Sequence, residues 1–193
     1  QKAYPVLRGA AEFILAYLRE DRDRRLVIVP STSPENAYID PKTGKAVRIT
    51  HGSTYHTTLV RVVFEAVVEG SRILDQDEEF RERLEAALAK LPPMKIGADG
   101  TIQEWIEDYQ EAEPQHRHVS HLLGLHPFSL IDANRPELFE AARKTLQRRG
   151  FGGAPTTPAV RFVGSDGTMV SFTRVAFTWP LGSPSPTWFW AVT

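Results

Sequence analysis

Ser53-Thr-Tyr-His-Thr-Thr-Leu-Val-Arg-Val-Val-Phe-Glu-Ala-Val-Val-Glu-Gly70 is the stretch on which the fold class turns. Leu59, Val62, Val63, Ala66 and Val67 recur three and four residues apart, the spacing of one helical face and not the alternation of a strand. The pattern predicts a helix over residues 55–69, capped by Ser53 or Thr54 and stopped by Gly70. Outward from it, Phe80, Leu84, Ala87 and Leu88 predict a helix over 77–90 with a Glu79–Arg83 pair, ending before Pro92-Pro93. Leu138, Phe139, Ala142 and Leu146 predict another over 136–149, opened by Asn134 or Arg135 and closed by Gly150. Upstream, Leu7, Ala10, Ile14, Tyr17 and Leu18 mark a first helix over 3–20, with Pro5 in the first turn where a missing N–H is harmless. Leu26-Val-Ile-Val29 is too short for a helix and reads as a buried strand, and Tyr38-Ile39 and Val47-Arg-Ile49 flank a Pro- and Gly-containing turn. The expected class is therefore all-α with short β decorations, and no internal repeat is present.

Composition narrows the function classes. Among 193 residues, 23 Lys and Arg face 24 Asp and Glu, and this balance argues against nucleic acid or an anionic membrane as the partner. Hydrophobic residues at 41% and charged residues at 24% exclude a wholly disordered chain. The absence of cysteine excludes disulfide scaffolds, thiolate metal sites and a cysteine nucleophile, and leaves the compartment open. No apolar run reaches the roughly 18 residues of a membrane-spanning helix. Opening at Gln1 with no Met and no signal-peptide pattern, the chain reads as an internal piece of a longer one. Residues 151–193 differ from the rest, with three charges (Arg161, Asp166, Arg174) and five of the 14 prolines. This tail reads either as edge strands covering a neighbour or as the product of a shifted reading frame, the second being the preferred reading.

Two stretches carry candidate chemistry. In Pro30-Ser-Thr-Ser-Pro-Glu-Asn-Ala-Tyr38, Glu35 follows a buried strand and is hemmed by two prolines and a tyrosine. A partly apolar setting of that kind is expected to raise its pKa and suit it to general-acid work. The plainer alternative is an ordinary turn with a solvated Glu35. The second stretch runs from Gly100-Thr-Ile-Gln-Glu-Trp105 to His116-Arg-His-Val-Ser-His-Leu-Leu-Gly-Leu125 and, with His126, holds four of the six histidines. A metal reading would take His118 and His121, three apart on a helix, but no His-Glu-x-x-His pattern supports it. A polyol reading fits better, with Trp105 as a flat apolar face and Arg117 and the imidazoles as directional donors. Core histidines satisfied by backbone carbonyls are the bland alternative. No phosphate loop or nucleophile elbow is present.

In this order, these segments resemble the catalytic domain of glycoside hydrolase family 95, the alpha-L-fucosidases. Lys2-Ala-Tyr-Pro-Val-Leu-Arg-Gly-Ala-Ala-Glu-Phe13 resembles the helix before the family's acid loop, and Pro30-Ser-Thr-Ser-Pro-Glu-Asn36 that loop itself. Ser53-Thr-Tyr55, Arg61 and Phe64 resemble the next helix; Glu104-Trp105, Asp108 and residues 116–125 resemble the most distinctive segment. The resemblance covers about residues 2–150, which makes 1–150 a partial catalytic domain and 151–193 an atypical tail. It implies part of an (alpha/alpha)6 barrel and inverting hydrolysis of terminal, alpha-1,2-linked L-fucose from oligosaccharides or glycans. It also implies Glu35 as general acid and Asn36, Trp105, Arg117 and His118 as substrate-binding residues, with neither metal nor organic cofactor. The compartment stays unknown, a secreted or periplasmic bacterial location being plausible for the family. The family's water-positioning asparagines and its catalytic Asp fall outside the segment, so the chain alone is expected to be inactive. Where the family usually has Asp after Thr-Tyr, this chain has His56. A non-catalytic sugar-binding relative or an inactive truncated fragment is the alternative.

Overall fold

A computed structural model describes residues 2–150 in full and the backbone of two further segments, 160–163 and 169–172. Four α-helices dominate the described residues: α1 (Tyr4–Tyr17), α2 (Thr54–Leu74), α3 (Glu78–Leu88) and α4 (Pro136–Arg149). Short antiparallel pairs decorate them: β1 (Arg19–Glu20) with β2 (Leu26–Val27), β3 (Tyr38–Ile39) with β4 (Ala46–Val47), and β5 (Val160–Val163) with β6 (Met169–Phe172). The mostly helical class and the hairpin around 40–44 follow the sequence expectation. Other readings of the tail fall outside the described residues.

Helix α1 packs on α2, and α2 on α3. Their shared core holds Tyr4, Ala11, Leu18, Phe64, Val67, Phe80 and Leu84, with Phe64, Val67 and Leu84 fully enclosed. Burial of a side chain such as Phe64 contributes about 1.5–3 kcal/mol. A second cluster of Ile102, Leu122, Ile131, Ala141 and Ala142 seats α4 and the 3-10 turn Ser120–Leu122.

Four sequence expectations need correction. Gly70 does not stop α2, which runs on to Leu74 and ends at Asp75 in the left-handed region (φ 51°). The glycine serves packing instead: a Cβ there would lie 2.8 Å from the Tyr4 ring. The Glu79–Arg83 pair is absent among the described residues; Arg83 lies over the Phe80 ring, 5.7 Å from its centre. The first helix, expected over 3–20, ends at Tyr17, where Arg19–Glu20 pairs as β1, and the strand expected over 26–29 forms only at Leu26–Val27, with Val29 exposed. Ser53 caps α2, its hydroxyl accepting from the His56 amide, and Gly150 closes α4 at φ 60°.

Candidate active site

The loop carrying Glu35 is clamped at its entrance by the start of α2. Ser31 and Thr50 exchange backbone hydrogen bonds of 2.8 Å each. The Ser31 hydroxyl accepts from the Ser53 amide (3.0 Å) and donates to the Ser53 hydroxyl (2.9 Å), which donates in turn to the Thr32 carbonyl (2.8 Å). His56 Nδ1 lies 2.8 Å from Ser31 Oγ. The helix-capping serine therefore also holds the loop, and the imidazole at the position of the family's usual Asp serves the same hydroxyls. Burial pushes the His56 pKa down.

Beneath the loop lies a buried polar floor. Ser33 Oγ donates to Glu104 Oε1 (2.7 Å), and Asn36 Nδ2 donates to Glu104 Oε2 and Glu111 Oε2 (3.1 Å each). Arg149 Nη2 donates to Glu104 Oε2 (2.6 Å), while Nη1 bonds Glu111 and the carbonyls of Glu113 (3.0 Å) and Pro114 (3.3 Å). The Glu104 and Arg149 side chains are 2% and 4% exposed, so this is a desolvated ion pair, one kept only when its hydrogen bonds are complete. Burial acts to raise the Glu104 pKa, but His121, Arg149, Ser33 and Asn36 overcome it and leave the carboxyl below its usual value. Burial wins at Glu111, whose pKa is raised with the neighbouring Glu104 charge adding to the effect.

Above this floor Glu35 projects outward. It lines an open cavity of about 460 Å³ together with Thr32, Ser33, Pro34, Asn36 and Arg48, a size in the range of small-molecule sites. Arg117 Nη2 donates to Glu35 Oε2 at 2.7 Å, and His118 Nε2 lies 3.4 Å from the same oxygen. The Ser120 hydroxyl donates to the Pro34 carbonyl. The expected raised pKa is corrected here. The Glu35 side chain is 61% exposed, and the Arg117 hydrogen bond, followed by the Arg117 charge, holds its carboxyl below the usual range.

The second stretch thus faces two ways. Arg117 and His118 meet Glu35, whereas His121 turns inward, 1% exposed, with Nδ1 3.7 Å from Glu104 Oε1. Burial pushes its pKa down to about 4. A shared metal held by His118 and His121 does not fit, because the two rings attend different carboxylates. Trp105 and Asn36, both expected as sugar contacts, are buried at 2% and 1%, Asn36 at the wall of the Glu35 cavity. The Trp105 ring is met edge-on by Tyr38 at 5.6 Å, and the Asn36 amide is spent on Glu104 and Glu111. Glu104, Glu111 and Arg149 carry the floor without having been singled out for it. Arg149 lies 45 residues from Glu104, a separation at which pairing has no sequence period.

The family description "Glycosyl hydrolase family 95 catalytic domain" matches residues 1–163. The chain belongs to glycosyl hydrolase family 95. Among curated proteins similar to this family 95 chain, "Alpha-L-fucosidase 2" of Arabidopsis thaliana is 41% identical over 155 residues, 79% of the chain and 18% of the relative. "Probable alpha-fucosidase A" of Aspergillus niger is 32% identical over 161 residues, 79% of the chain and 19% of the relative. The family 95 segment thus spans under a fifth of the length of each of these two relatives.

Proposed function

We propose that this chain supplies the acid-bearing part of an alpha-L-fucosidase catalytic domain, an (alpha/alpha)6 barrel that releases terminal alpha-1,2-linked fucose from oligosaccharides or glycans with inversion. One observation carries the reading: Glu35 stands free of its own anchored loop, at the wall of an open cavity, with the Arg117-His118 pair on its carboxylate. The names of the similar proteins support the fucosyl specificity. In the reaction Glu35, once protonated, gives its proton to the departing glycosidic oxygen, while a water on the opposite face attacks the anomeric carbon through an oxocarbenium-like transition state and passes its proton to a base supplied from outside this segment. Arg117 and His118 bind the fucosyl hydroxyls, a task that draws Arg117 off the carboxylate and lets Glu35 regain its proton.

The test is to incubate the full-length polypeptide carrying this segment with an alpha-1,2-fucosylated oligosaccharide and follow the first-formed anomer by NMR. Release of beta-L-fucose supports inversion; first-formed alpha-L-fucose refutes it, and no release refutes the fucosidase reading. The exposed, ionised Glu35 also suits a non-catalytic sugar-binding site, since a carboxylate accepts hydroxyl hydrogen bonds without transferring a proton. Fucose binding by calorimetry, with no turnover, would select that second reading.

A further inference from the structure

We propose that Glu104, together with Arg149, is the positioning centre of the acid loop: it acts on proton transfer through Ser33 and Asn36, without touching substrate. The inference rests on the reading of Glu35 as general acid. Glu35 itself has no bond to the floor; its neighbours do. Ser33, two residues before it, donates to one Glu104 oxygen, and Asn36, immediately after it, to the other. Each carboxylate oxygen of Glu104 thus grips one side of the acid. Arg149 neutralises the buried charge and, through the carbonyls of Glu113 and Pro114, fixes the chain that leads into Arg117 and His118. One buried pair therefore sets both the acid and the groups that face it. An acid misplaced by an ångström forfeits much of its advantage, so disturbance of this floor should strike the chemical step.

The discriminating readout is dependence on the leaving group. A natural sugar leaving group needs its oxygen protonated; an activated one, as in a fucosyl fluoride or dinitrophenyl fucoside, departs with little help. Kinetics are measured on the full-length polypeptide carrying this segment. Ser33→Ala should lower kcat on the oligosaccharide about tenfold and change it less than about twofold on the activated fucoside, with KM nearly unchanged and Tm lowered modestly because one buried Glu104 oxygen loses its donor. Glu104→Gln removes the charge that answers Arg149 and, with its amide oxygen kept toward Asn36 and Arg149, turns an NH2 on Ser33, so the same split should be larger. Added to Glu35→Gln, Ser33→Ala should cause no further loss, because it acts only through the acid. Equal losses on both substrates, a loss confined to KM, or an additive effect with Glu35→Gln would overturn the proposal. Should Glu104→Gln not fold, Ser33→Ala alone decides. A wild-type enzyme that releases no fucose from either substrate overturns the fucosidase reading and this inference together, whereas an active wild type with no leaving-group split overturns this inference alone.

Discussion

A general acid must hold a proton when its substrate arrives, yet Arg117 keeps the Glu35 carboxyl below the usual range and so ionised at neutral pH. The sign of the pH dependence follows. As pH rises through the Glu35 value the protonated fraction falls, so kcat/KM should decline on its alkaline side. Arg117→Ala removes the bond and the charge that hold the value down, and the declining limb should move to higher pH. A limb that stays in place would assign it to another group. The pair is exposed on both sides, so its contribution to stability is small. Arg117→Ala should therefore leave the melting temperature in place while weakening fucose binding. Strong destabilisation with unchanged affinity would remove Arg117 from the site. Glu35→Gln keeps the shape and loses the proton; turnover on fucosylated oligosaccharide should drop by about 10²–10⁴-fold with binding nearly intact. Near-normal turnover would mean that another group is the acid.

Among the helices, two glycines invite opposite outcomes. Gly9 in α1 has open space where a Cβ would go, so Gly9→Ala should stabilise the fold by roughly 0.5–1 kcal/mol through helix propensity alone. Gly70 in α2 gains the same propensity, but its Cβ meets a Tyr4 ring fixed by the hydroxyl's 3.0 Å bond to Asp77. Overpacking of that kind costs about 1–3 kcal/mol, so Gly70→Ala should be destabilising. Urea midpoints of the two variants, lying on opposite sides of wild type, are the check. The same glycine shows how far the sequence could be read. The spacing of three and four identified α2, and Ser53 marked its start, because both signals are local. Whether Gly70 ends the helix or makes room depends on Tyr4, 66 positions earlier, and nothing local encodes that. The site divides the same way. Glu35, Arg117 and His118 stood out by motif and do converge. The apolar cage expected around Glu35 failed because Arg117 arrives from 82 residues away, and the pairing of Glu104 with Arg149 could not be read because nothing local links the Glu104 motif to a helix end 45 residues later.

Across the whole molecule, buried imidazoles tie stability to pH. His121 is pushed down to about 4 when folded and takes up its proton near 6.5 when unfolded. Its depressed value means the full contribution, on the order of 3 kcal/mol, is present above pH 6.5 and is lost progressively as pH falls toward 4. His56, His116 and His126 are lowered by burial and add with the same sign; Glu104 extends the loss at lower pH, and Glu111, raised, opposes it. Urea midpoints measured from pH 7 to 4 should fall, and His121→Gln should flatten that fall. An unaltered slope would place the effect on the other histidines. Arg149 also has a meaning in time. It is the last residue of α4, and the acid loop it secures was made more than a hundred residues before it. A ribosome delivers the chain from its N-terminus, so nascent chains stalled before residue 149 should expose residues 31–36 to protease, and those stalled well beyond it should protect them. The acid loop, made before α4, is among the last parts of this segment to mature.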